Sequence, residues 1–255
     1  MKNTVYQQAA AAIHNARVEC LPLSEVTEFD CFTIEDGYGV QRQLIKQMVS
    51  EGKALSGWKV AMANQPALDR FGLEEPVYGV LFSDMLIEGD SLSSDAVIAP
   101  KLEAELAFIL GHDLEGDVYT DQQIIEAIAW IAPAFEIADS RLGWTFSIGG
   151  FVADNAVASF YQLGELQPFI PGQTATEVEC SLTTATETLS GSPASVLGGP
   201  LNSFIKMVRS LLALHGRVEA GQHFISGSLT KPIDMIPGTT YRLTMLGGEL
   251  VLSYK

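Results

Sequence analysis

The chain has 255 residues, of which 47% are apolar, and a formal net charge of −16 from 31 acidic and 15 basic residues. This length suits one large domain, or one domain with a small appendage, around a sizeable core. The acidic balance lacks the basic stripe that phosphate backbones require, and an anionic membrane surface would repel it. Composition therefore argues against nucleic-acid and membrane partners, and an acidic substrate would need local cations to recruit it.

Cysteine usage and the first residues indicate the compartment. Cys20, Cys31 and Cys180 are widely spaced and form no CxxC pair, which is typical of reduced, buried thiols. The first twelve residues lack the hydrophobic core of a signal peptide, and no apolar stretch approaches the roughly 20 residues of a membrane helix. We therefore expect a cytoplasmic protein.

The N-terminal segment predicts helices. Residues 3–18 are rich in alanine, and a second helix is expected over residues 33–51. Thr33 and Asp36 form an N-terminal capping pattern, and Gly52 follows the end of the second helix. These features predict a helical N-terminal part over residues 1–55 and a catalytic domain over residues 56–255.

The middle of the chain is richer in strands. Helical segments are expected at 64–71, opened by Pro66, and at 121–131, capped by Thr120 and ended by Pro133. Residues 151–163 fit either a helix or a strand. Strands are expected at 57–61, 77–81, 95–99, 102–110 and 134–138.

The C-terminal third continues this alternation of elements. Residues 177–184 and 187–191 suggest a hairpin, and residues 200–215 form a good amphipathic helix. Short strands are expected over 222–254, separated at Gly227 and at the Gly-containing pairs 237–238 and 247–248. Many strands with segregated helices predict an α+β fold.

Two glutamates one residue apart lie inside the apolar run 100–111. Alternate residues of a strand share a face, so Glu103 and Glu105 point the same way, and both faces of this strand are mostly apolar. Two like charges on a buried strand are costly unless a cation meets them. The pattern favours a divalent metal site, with an edge strand carrying two solvated carboxylates as the alternative.

A third carboxylate, Glu136, lies among apolar residues in 134–138. The alternative for Glu136 is a core carboxylate paired with Arg141 or a lysine, while Asp139 and Arg141 suggest a structural pair. Three carboxylates without histidine or thiolate form an oxygen-only set that suits Mg²⁺ or Mn²⁺ rather than Zn²⁺. Such a site would leave positions open for a bidentate 2-oxo acid.

Lys59 lies in a strand-like segment of small and apolar residues. It could provide a cation in the same cleft, binding a carboxylate or handling a proton, or it could extend to solvent. The chain contains no GxSxG, P-loop or dinucleotide-binding pattern, and its four histidines have no metal-ligand spacing. The segment 226–230 predicts a turn between strands and does not by itself indicate a ligand site.

Several of these segments, in this order and spacing, resemble one family of enzymes. From about residue 33 onwards the chain is similar to the 2-keto-4-pentenoate hydratase and 4-oxalocrotonate decarboxylase family, which has the fumarylacetoacetate-hydrolase-like fold. The matching segments are 57–60, 75–81, 100–105, 133–141, 152–156, 197–201 and 226–230.

The resemblance implies a strongly curved, mixed β-roll with a helical N-terminal part. It implies an Mg²⁺ or Mn²⁺ site at Glu103, Glu105 and Glu136, and it makes Lys59 a catalytic residue. It also implies that Ser228 and Thr230 lie near the substrate. Family members commonly form homo-oligomers, and some form hydratase–decarboxylase hetero-complexes.

Two positions depart from the family pattern. Val77 stands where hydratases of the family usually have an acidic residue and decarboxylases often have an apolar one. Val157 stands where a serine usually follows Asp-Asn-Ala, and residues 60–63 also differ from the usual sequence. Val77 and Val157 are therefore expected at the substrate, in a pocket more apolar than usual.

The function implied is addition of water to a 2-hydroxy-2,4-dienoate, giving a 4-hydroxy-2-oxo acid in aromatic meta-cleavage catabolism. A 4-oxalocrotonate-type decarboxylase is the alternative, and Val77 favours it because decarboxylation needs no positioned water. An acylpyruvate hydrolase would need a His–Glu pair, which His14 and Glu19 fit poorly. A non-catalytic partner subunit is a further alternative, motivated by Val77 and Val157.

Overall fold

The fold combines helices with mixed β-sheets. The computed structural model describes residues 2–24, 28–116, 118–172 and 178–255. The helices in these ranges are α1 (Lys2–Glu19), α2 (Ile34–Ser50), α3 (Gln65–Phe71), α4 (Asp121–Glu126), α5 (Ile148–Ala153) and α6 (Gly199–His215). The strands are β1 (Leu55–Ala61), β2 (Val77–Phe82), β3 (Ser91–Leu92), β4 (Lys101–Leu110), β5 (Leu114–Glu115), β6 (Ile128–Ala138), β7 (Ala158–Leu163), β8 (Gln167–Pro168), β9 (Cys180–Thr183), β10 (Thr188–Gly191), β11 (Arg217–Val218), β12 (His223–Ser228), β13 (Ile233–Asp234), β14 (Thr240–Met245) and β15 (Gly248–Tyr254).

The largest sheet positions the candidate site. Its order is β2-β1-β12-β4-β6-β7, with β13 paired to β4 and β8 paired to β6. Strands β1 and β12 are parallel, whereas the other pairs in this sheet are antiparallel. A second sheet has the order β10-β9-β14-β15-β3, and β11 pairs with β5. The α+β prediction is confirmed.

Helix α6 covers one of the two apolar faces of β4. Phe204 of α6 stacks on Phe108 of β4 with ring centroids 4.8 Å apart, and Phe224 of β12 meets the Phe204 ring edge-on at 5.3 Å. All three rings are fully buried. Because side chains alternate along a strand, Glu103 and Glu105 lie on the opposite face from Phe108. The helix covers one face of β4, and the other face is left for the acidic residues.

Both predicted N-terminal helices form, and they pack on the rest of the chain. Thr33 and Asp36 make the reciprocal capping box that the sequence predicted. A Cβ added at Gly37 of α2 would lie 2.5 Å from the backbone oxygen of Gly149 in α5, so this glycine allows a close approach of the two helices. The predicted division at residue 55 therefore falls between elements that share contacts, and it stays a prediction.

The strand predicted at 95–99 is wrong. Ser94–Ala96 forms a single 3₁₀ turn. The amides of Ile98 and Ala99 donate to the carboxylate of Asp139, each at 2.8 Å. Because a side chain accepts from these two amides, they are not available to a neighbouring strand.

The helix predicted at 121–131 is half right. Thr120 caps α4 as expected, but the helix ends at Glu126, and Ile128–Ala138 is one long strand. Pro133 lies inside this strand instead of ending a helix. Its carbonyl accepts from Gly164 N at 2.8 Å, so its nitrogen faces the short gap between β7 and β8. A proline is tolerated there because its missing N–H is not needed for a ladder bond.

The remaining predictions are largely confirmed. Residues 151–163 contain the end of α5, a 3₁₀ turn at Asn155–Val157 and strand β7. The predicted hairpin is formed by β9 and β10, although its first residue, Glu177, lies outside the described ranges. Gly227 lies within β12, at a bulge, instead of between two strands. None of the helices in the described part of the chain combines the length and apolarity needed to span a bilayer.

Candidate metal centre and active site

Sheet register brings the three predicted carboxylates together. Glu103 of β4 lies directly opposite Glu136 of β6, and Glu105 lies opposite Ala134. Directly opposed residues and their diagonal neighbours share a face of the sheet. One carboxylate oxygen from each of Glu103, Glu105 and Glu136 falls within 4.8 Å of the others. The alternation along β4 and the pairing of β4 with β6 together build the cluster.

The cluster is buried and short of hydrogen-bond donors. Glu105 and Glu136 are fully buried, whereas Glu103 is partly exposed. Gly227 N donates to Glu105 Oε2 at 2.6 Å. Among the described residues, neither the second oxygen of Glu105 nor either oxygen of Glu136 has a hydrogen-bond partner. Buried carboxylate oxygens without donors are costly, and an oxygen-only set suits a hard divalent cation. The residues present therefore fit such an ion.

Lys59 of β1 reaches this cluster although two strands, β12 and β4, lie between β1 and β6 in the sheet. Its Nζ lies 2.6 Å from Glu136 Oε1 in an ion pair whose angles fall outside those of a hydrogen bond. It also donates to the backbone oxygen of Ala156 at 3.1 Å. Lys59 is only 2% exposed, so it does not extend to solvent. Of the two partners considered for Glu136 as a core carboxylate, Arg141 or a lysine, the structure shows the lysine, and the role of Glu136 as a metal ligand stays a prediction.

Electrostatics in the cluster are strongly coupled. Burial raises the pKa of Glu105 well above its ordinary value, and the neighbouring Glu136 and Glu103 raise it further. Burial also raises the pKa of Glu136, while Lys59 opposes this change. Burial lowers the pKa of Lys59, but the three carboxylates outweigh burial and the net direction is upward. Without a cation the cluster holds a proton more readily than free carboxylates do, and Lys59 stays charged.

We expect stabilisation by Mg²⁺ to increase as the pH rises from about 5 to about 8. A raised carboxyl pKa means that the folded state binds more protons than the unfolded state. The stability of the metal-free protein is therefore greatest below the ordinary carboxyl pKa, where the cluster is protonated. It falls as the pH rises towards the folded-state pKa. A bound cation removes this loss. Thermal unfolding with Mg²⁺ and with EDTA across this range measures it, and a pH-independent shift would contradict it.

A cavity of about 820 Å³ opens beside the cluster. Lys59, Glu103, Ser228 and Thr230 line it, and Thr230 Oγ1 is buried without a hydrogen-bond partner in the described residues. Ser228 Oγ donates to Thr230 O at 2.8 Å. The remaining wall is largely apolar and aromatic, with Met62, Phe71, Trp144, Phe146, Phe151 and Val157. The cavity thus joins a polar, acidic end to an apolar wall.

The two valines occupy different places. Val157 lines the cavity, whereas Val77 is not among the lining residues. Both belong to a buried apolar cluster that also contains Ala61 and Phe151. Val77 therefore lies behind the cavity wall. Contact of Val77, Val157, Ser228 and Thr230 with a substrate stays a prediction.

Arg141 was expected to pair with Asp139, and this expectation is wrong. Arg141 Nε donates to Asp154 Oδ1 at 2.6 Å. Asp139 accepts from Arg141 through its backbone oxygen and not through its carboxylate. The Asp139 carboxylate is used by the amides of Ile98 and Ala99. The buried Arg141–Asp154 pair holds the segment that leads into the 3₁₀ turn at Asn155–Val157.

This turn has an unusual backbone. Asn155, Ala156 and Val157 all have left-handed φ angles, of 56°, 49° and 55°. A left-handed conformation costs roughly 1–2 kcal/mol for each L-residue with a side chain, and it is a particular outlier for a β-branched residue such as valine. No sequence signal indicated it. Such strain persists only where the surroundings impose it, and it tends to occur at functional sites.

The basic residues at the cavity, apart from Lys59, were not predicted from the sequence. Arg70, Lys101 and Lys231 line it together with Lys59. Lys101 is engaged by Asp234 and lies over the Trp144 ring, with Nζ 4.8 Å from its centroid. Neither Arg70 nor Lys231 has an ion-pair partner among the described residues. Arg70, Lys101 and Lys231 are far apart in the sequence and form no motif. The fold brings them together at the opening of the cavity.

Comparison with known proteins agrees with this architecture. No family model matches the chain. It is 29% identical over 245 residues to the 2-keto-4-pentenoate hydratase of Paraburkholderia xenovorans, covering 94% of this chain and 91% of the relative. It is 32% identical over 220 residues to the TodF product hydratase of Pseudomonas putida, covering 84% and 81%.

A solved structure extends the comparison to the fold. The 4-oxalocrotonate decarboxylase of Pseudomonas putida G7, complexed with magnesium and adipate, superposes with a TM-score of 0.91 at 24% identity, covering 99% of this chain and 98% of that one. The fold is therefore that of fumarylacetoacetate-hydrolase-like proteins. The chain belongs to the family of 2-keto-4-pentenoate hydratases and 4-oxalocrotonate decarboxylases.

Proposed function

We propose that the protein is a metal-dependent hydratase that adds water to a 2-hydroxy-2,4-dienoate and gives a 4-hydroxy-2-oxo acid. The observation that carries the proposal is the buried cluster of three carboxylates beside Lys59, at the polar end of a substrate-sized cavity. The relatives named as hydratases support this reaction class. We assign Glu103, Glu105 and Glu136 as metal ligands and Lys59 as the catalytic residue.

The chemistry requires an electron sink at the 2-oxygen of the substrate. A divalent ion held by Glu103, Glu105 and Glu136 would act as a Lewis acid that stabilises negative charge there. The oxygen-only ligand set supports Mg²⁺ or Mn²⁺ as the ion used.

The residues of the chain handle the substrate and its protons. In the first step the dienol loses its hydroxyl proton and gains a proton at C5, which gives an α,β-unsaturated 2-oxo acid. Water then bonds to C4, and C3 takes up a proton. The charged ammonium of Lys59 in the cavity wall supports a role in binding the substrate carboxylate or in donating a proton. The aromatic wall would hold the carbon chain and limit the access of bulk water.

A spectrophotometric assay on two substrates tests this function directly. Purified protein with Mg²⁺ is given 2-hydroxypenta-2,4-dienoate and, separately, 2-oxohex-3-enedioate, with CO₂ captured. Loss of dienoate absorbance with formation of the 4-hydroxy-2-oxo acid, and without CO₂, establishes a hydratase. No reaction with either acid, in protein shown to bind Mg²⁺, would contradict the assignment and favour a non-catalytic subunit.

Decarboxylation of a 2-oxo diacid is a second candidate, and the charge of the cavity favours it. In the described part of the chain, four basic residues line the cavity, whereas Glu103 is the only acidic residue that does so. Lys59 and Lys101 face carboxylates of the chain. Arg70 and Lys231 would remain for a second substrate carboxylate. The apolar Val77 fits the same candidate.

We expect Arg70→Gln to separate the two candidates. If the substrate is a diacid, its KM should rise about tenfold, since a charged hydrogen bond at an exposed site is lost. The KM for the monoacid should stay within about twofold. Steady-state kinetics on both acids measure the difference. Arg42→Gln is the matched control, because Arg42 lies in a separate small pocket beside Trp58. Equal effects of Arg70→Gln on both acids would contradict selection for a diacid.

We also propose three features of the architecture and assembly. We propose residues 1–55 as a helical N-terminal part and residues 56–255 as the catalytic domain. We propose a strongly curved β-roll, supported by an isolated bridge between Leu86, beyond β2, and Tyr161 of β7, at opposite edges of the large sheet. We also propose a homo-oligomer, or a hydratase–decarboxylase hetero-complex. The exposed apolar side chains of Trp130, Leu166 and Ile170 support assembly, and light scattering tests it.

A further inference from the structure

Lys59 donates a hydrogen bond to the backbone oxygen of Ala156, and the proposed reaction gives this bond no role. Its ammonium has three N–H donors. The ion pair to Glu136 uses a proposed metal ligand, whereas the backbone oxygen of Ala156 accepts from Lys59 at 3.1 Å and has no assigned role elsewhere. The hydrogen bond to Ala156 therefore fixes one direction of the ammonium, and the short ion pair to Glu136 restricts its rotation. A further N–H donor remains for the cavity that Lys59 lines.

The direction of the Ala156 carbonyl depends on the left-handed turn. Residues 155–157 all have positive φ, and in a right-handed or extended conformation the same carbonyl would point elsewhere. Val157 N donates to Asp154 O at 2.9 Å, and Asp139 N donates to Val157 O at 2.8 Å. The turn is thus closed on itself and tied to the end of β6.

Asn155 ties the other side of the turn to strand β2. Its Nδ2 donates to Val80 O at 2.9 Å, and Val80 N donates to its Oδ1 at 2.8 Å. Gln41 Nε2 donates to the same oxygen at 3.3 Å. The side-chain amide of Asn155 therefore pairs with the backbone of β2 as a neighbouring strand would. Strand β2 in turn pairs with β1, and β1 carries Lys59.

Gly79 leaves room for this arrangement. It lies opposite Lys59 in the register of β1 and β2. A Cβ at this position would lie 2.5 Å from Asn155 O and 3.0 Å from Lys59 Cδ. The turn, the lysine stem and strand β2 therefore meet where only glycine fits.

We propose that Asn155 is a positioning residue. It acts on Lys59 through the carbonyl of Ala156, which lies in the strained turn. By clamping the turn to β2, Asn155 keeps that carbonyl on the ammonium and leaves another N–H of Lys59 directed to the substrate. This inference rests on the catalytic role proposed above for Lys59.

A double-mutant cycle tests it. Asn155→Gly keeps the left-handed conformation allowed but removes the clamp, and we expect kcat to fall about tenfold with KM changed less than about threefold, as for a catalytic group displaced by less than 1 Å. In a Lys59→Met background the same change should alter kcat by less than about twofold, because the group it positions is gone. Equal losses in both backgrounds would mean a general structural role and would overturn the proposal. Gln162→Ala is the control, since Gln162 is another buried amide that bonds to backbone oxygens, of Gly89 and Val251.

A measurement without turnover keeps the test separate from the proposed function. Side-chain ¹H–¹⁵N NMR detects lysine ammonium groups that are held in fixed hydrogen bonds. We expect one protected signal that is absent from Lys59→Met, weakened in Asn155→Gly and unchanged in Gln162→Ala. Persistence of the full signal in Asn155→Gly, or its absence from the unaltered protein, would overturn the positioning role. If the unaltered protein gives this signal but no turnover, the proposed function fails and not the clamp.

Discussion

Glu105→Gln should abolish metal-dependent activity while making the metal-free protein more stable. Glu105 is fully buried, and its second oxygen has no donor among the described residues. A glutamine keeps the acceptor for Gly227 N, and its amide N–H can donate towards Glu136. One of three crowded like charges disappears, so the apo protein gains stability. The metal loses a ligand together with several kcal/mol of charge stabilisation, and kcat/KM should fall by at least about a thousandfold.

Calorimetry and kinetics on one preparation check both signs. Thermal unfolding in EDTA should occur at a higher temperature in Glu105→Gln than in the unaltered protein, and added Mg²⁺ should no longer raise it. Glu115→Gln is the control, because Glu115 is an exposed residue at the end of β5. A variant that still gains stability from Mg²⁺ would remove Glu105 from the ligand set. A less stable apo protein would mean that the three carboxylates do not repel one another as the geometry requires.

The three clustered carboxylates could be predicted from sequence because each is a local anomaly. Glu103 and Glu105 break an apolar run at strand spacing, and Glu136 breaks another. The pairing that places Glu103 opposite Glu136 is a property of the sheet, and no local pattern encodes which strands become neighbours. The Lys59–Glu136 pair joins residues 77 positions apart for the same reason. Family resemblance supplied what local spacing could not.

The elements predicted wrongly lie where a backbone group does not make a hydrogen bond to a neighbouring strand. A side chain or an interruption of that strand takes its place. The amides of Ile98 and Ala99 bond to the Asp139 carboxylate, which lies some 40 residues away. Pro133 reads as the end of a helix, yet it fits inside β6 because the neighbouring strand is interrupted beside it. The left-handed turn at 155–157 is imposed by Asn155 and by the Arg141–Asp154 pair, both long-range contacts. Tertiary contacts decided these three positions against local preference.

Lys59→Met should lower kcat by about 10²–10⁴-fold, the usual contribution of a positioned proton-transfer group, and should leave metal binding intact. The methionine side chain has nearly the length of lysine but no charge, so the cavity keeps its shape. Without the ammonium, Glu136 loses an ion pair at 2.6 Å and the Ala156 carbonyl loses its donor. The metal-free protein should therefore unfold at a lower temperature, which is the opposite of the expected effect of Glu105→Gln.

The opposite signs make Lys59→Met and Glu105→Gln an internal test of the site. Both remove one charge from the same buried cluster, and both should lose activity, so activity alone cannot distinguish a metal ligand from a proton-handling group. Added Mg²⁺ should still stabilise Lys59→Met, since all three carboxylates remain. Lys53→Met is the control, because Lys53 makes a half-exposed ion pair with Asp84 at 2.7 Å. If Lys59→Met kept full kcat, or if it lost the response to Mg²⁺, Lys59 would serve to hold the acidic cluster together instead of acting on the substrate.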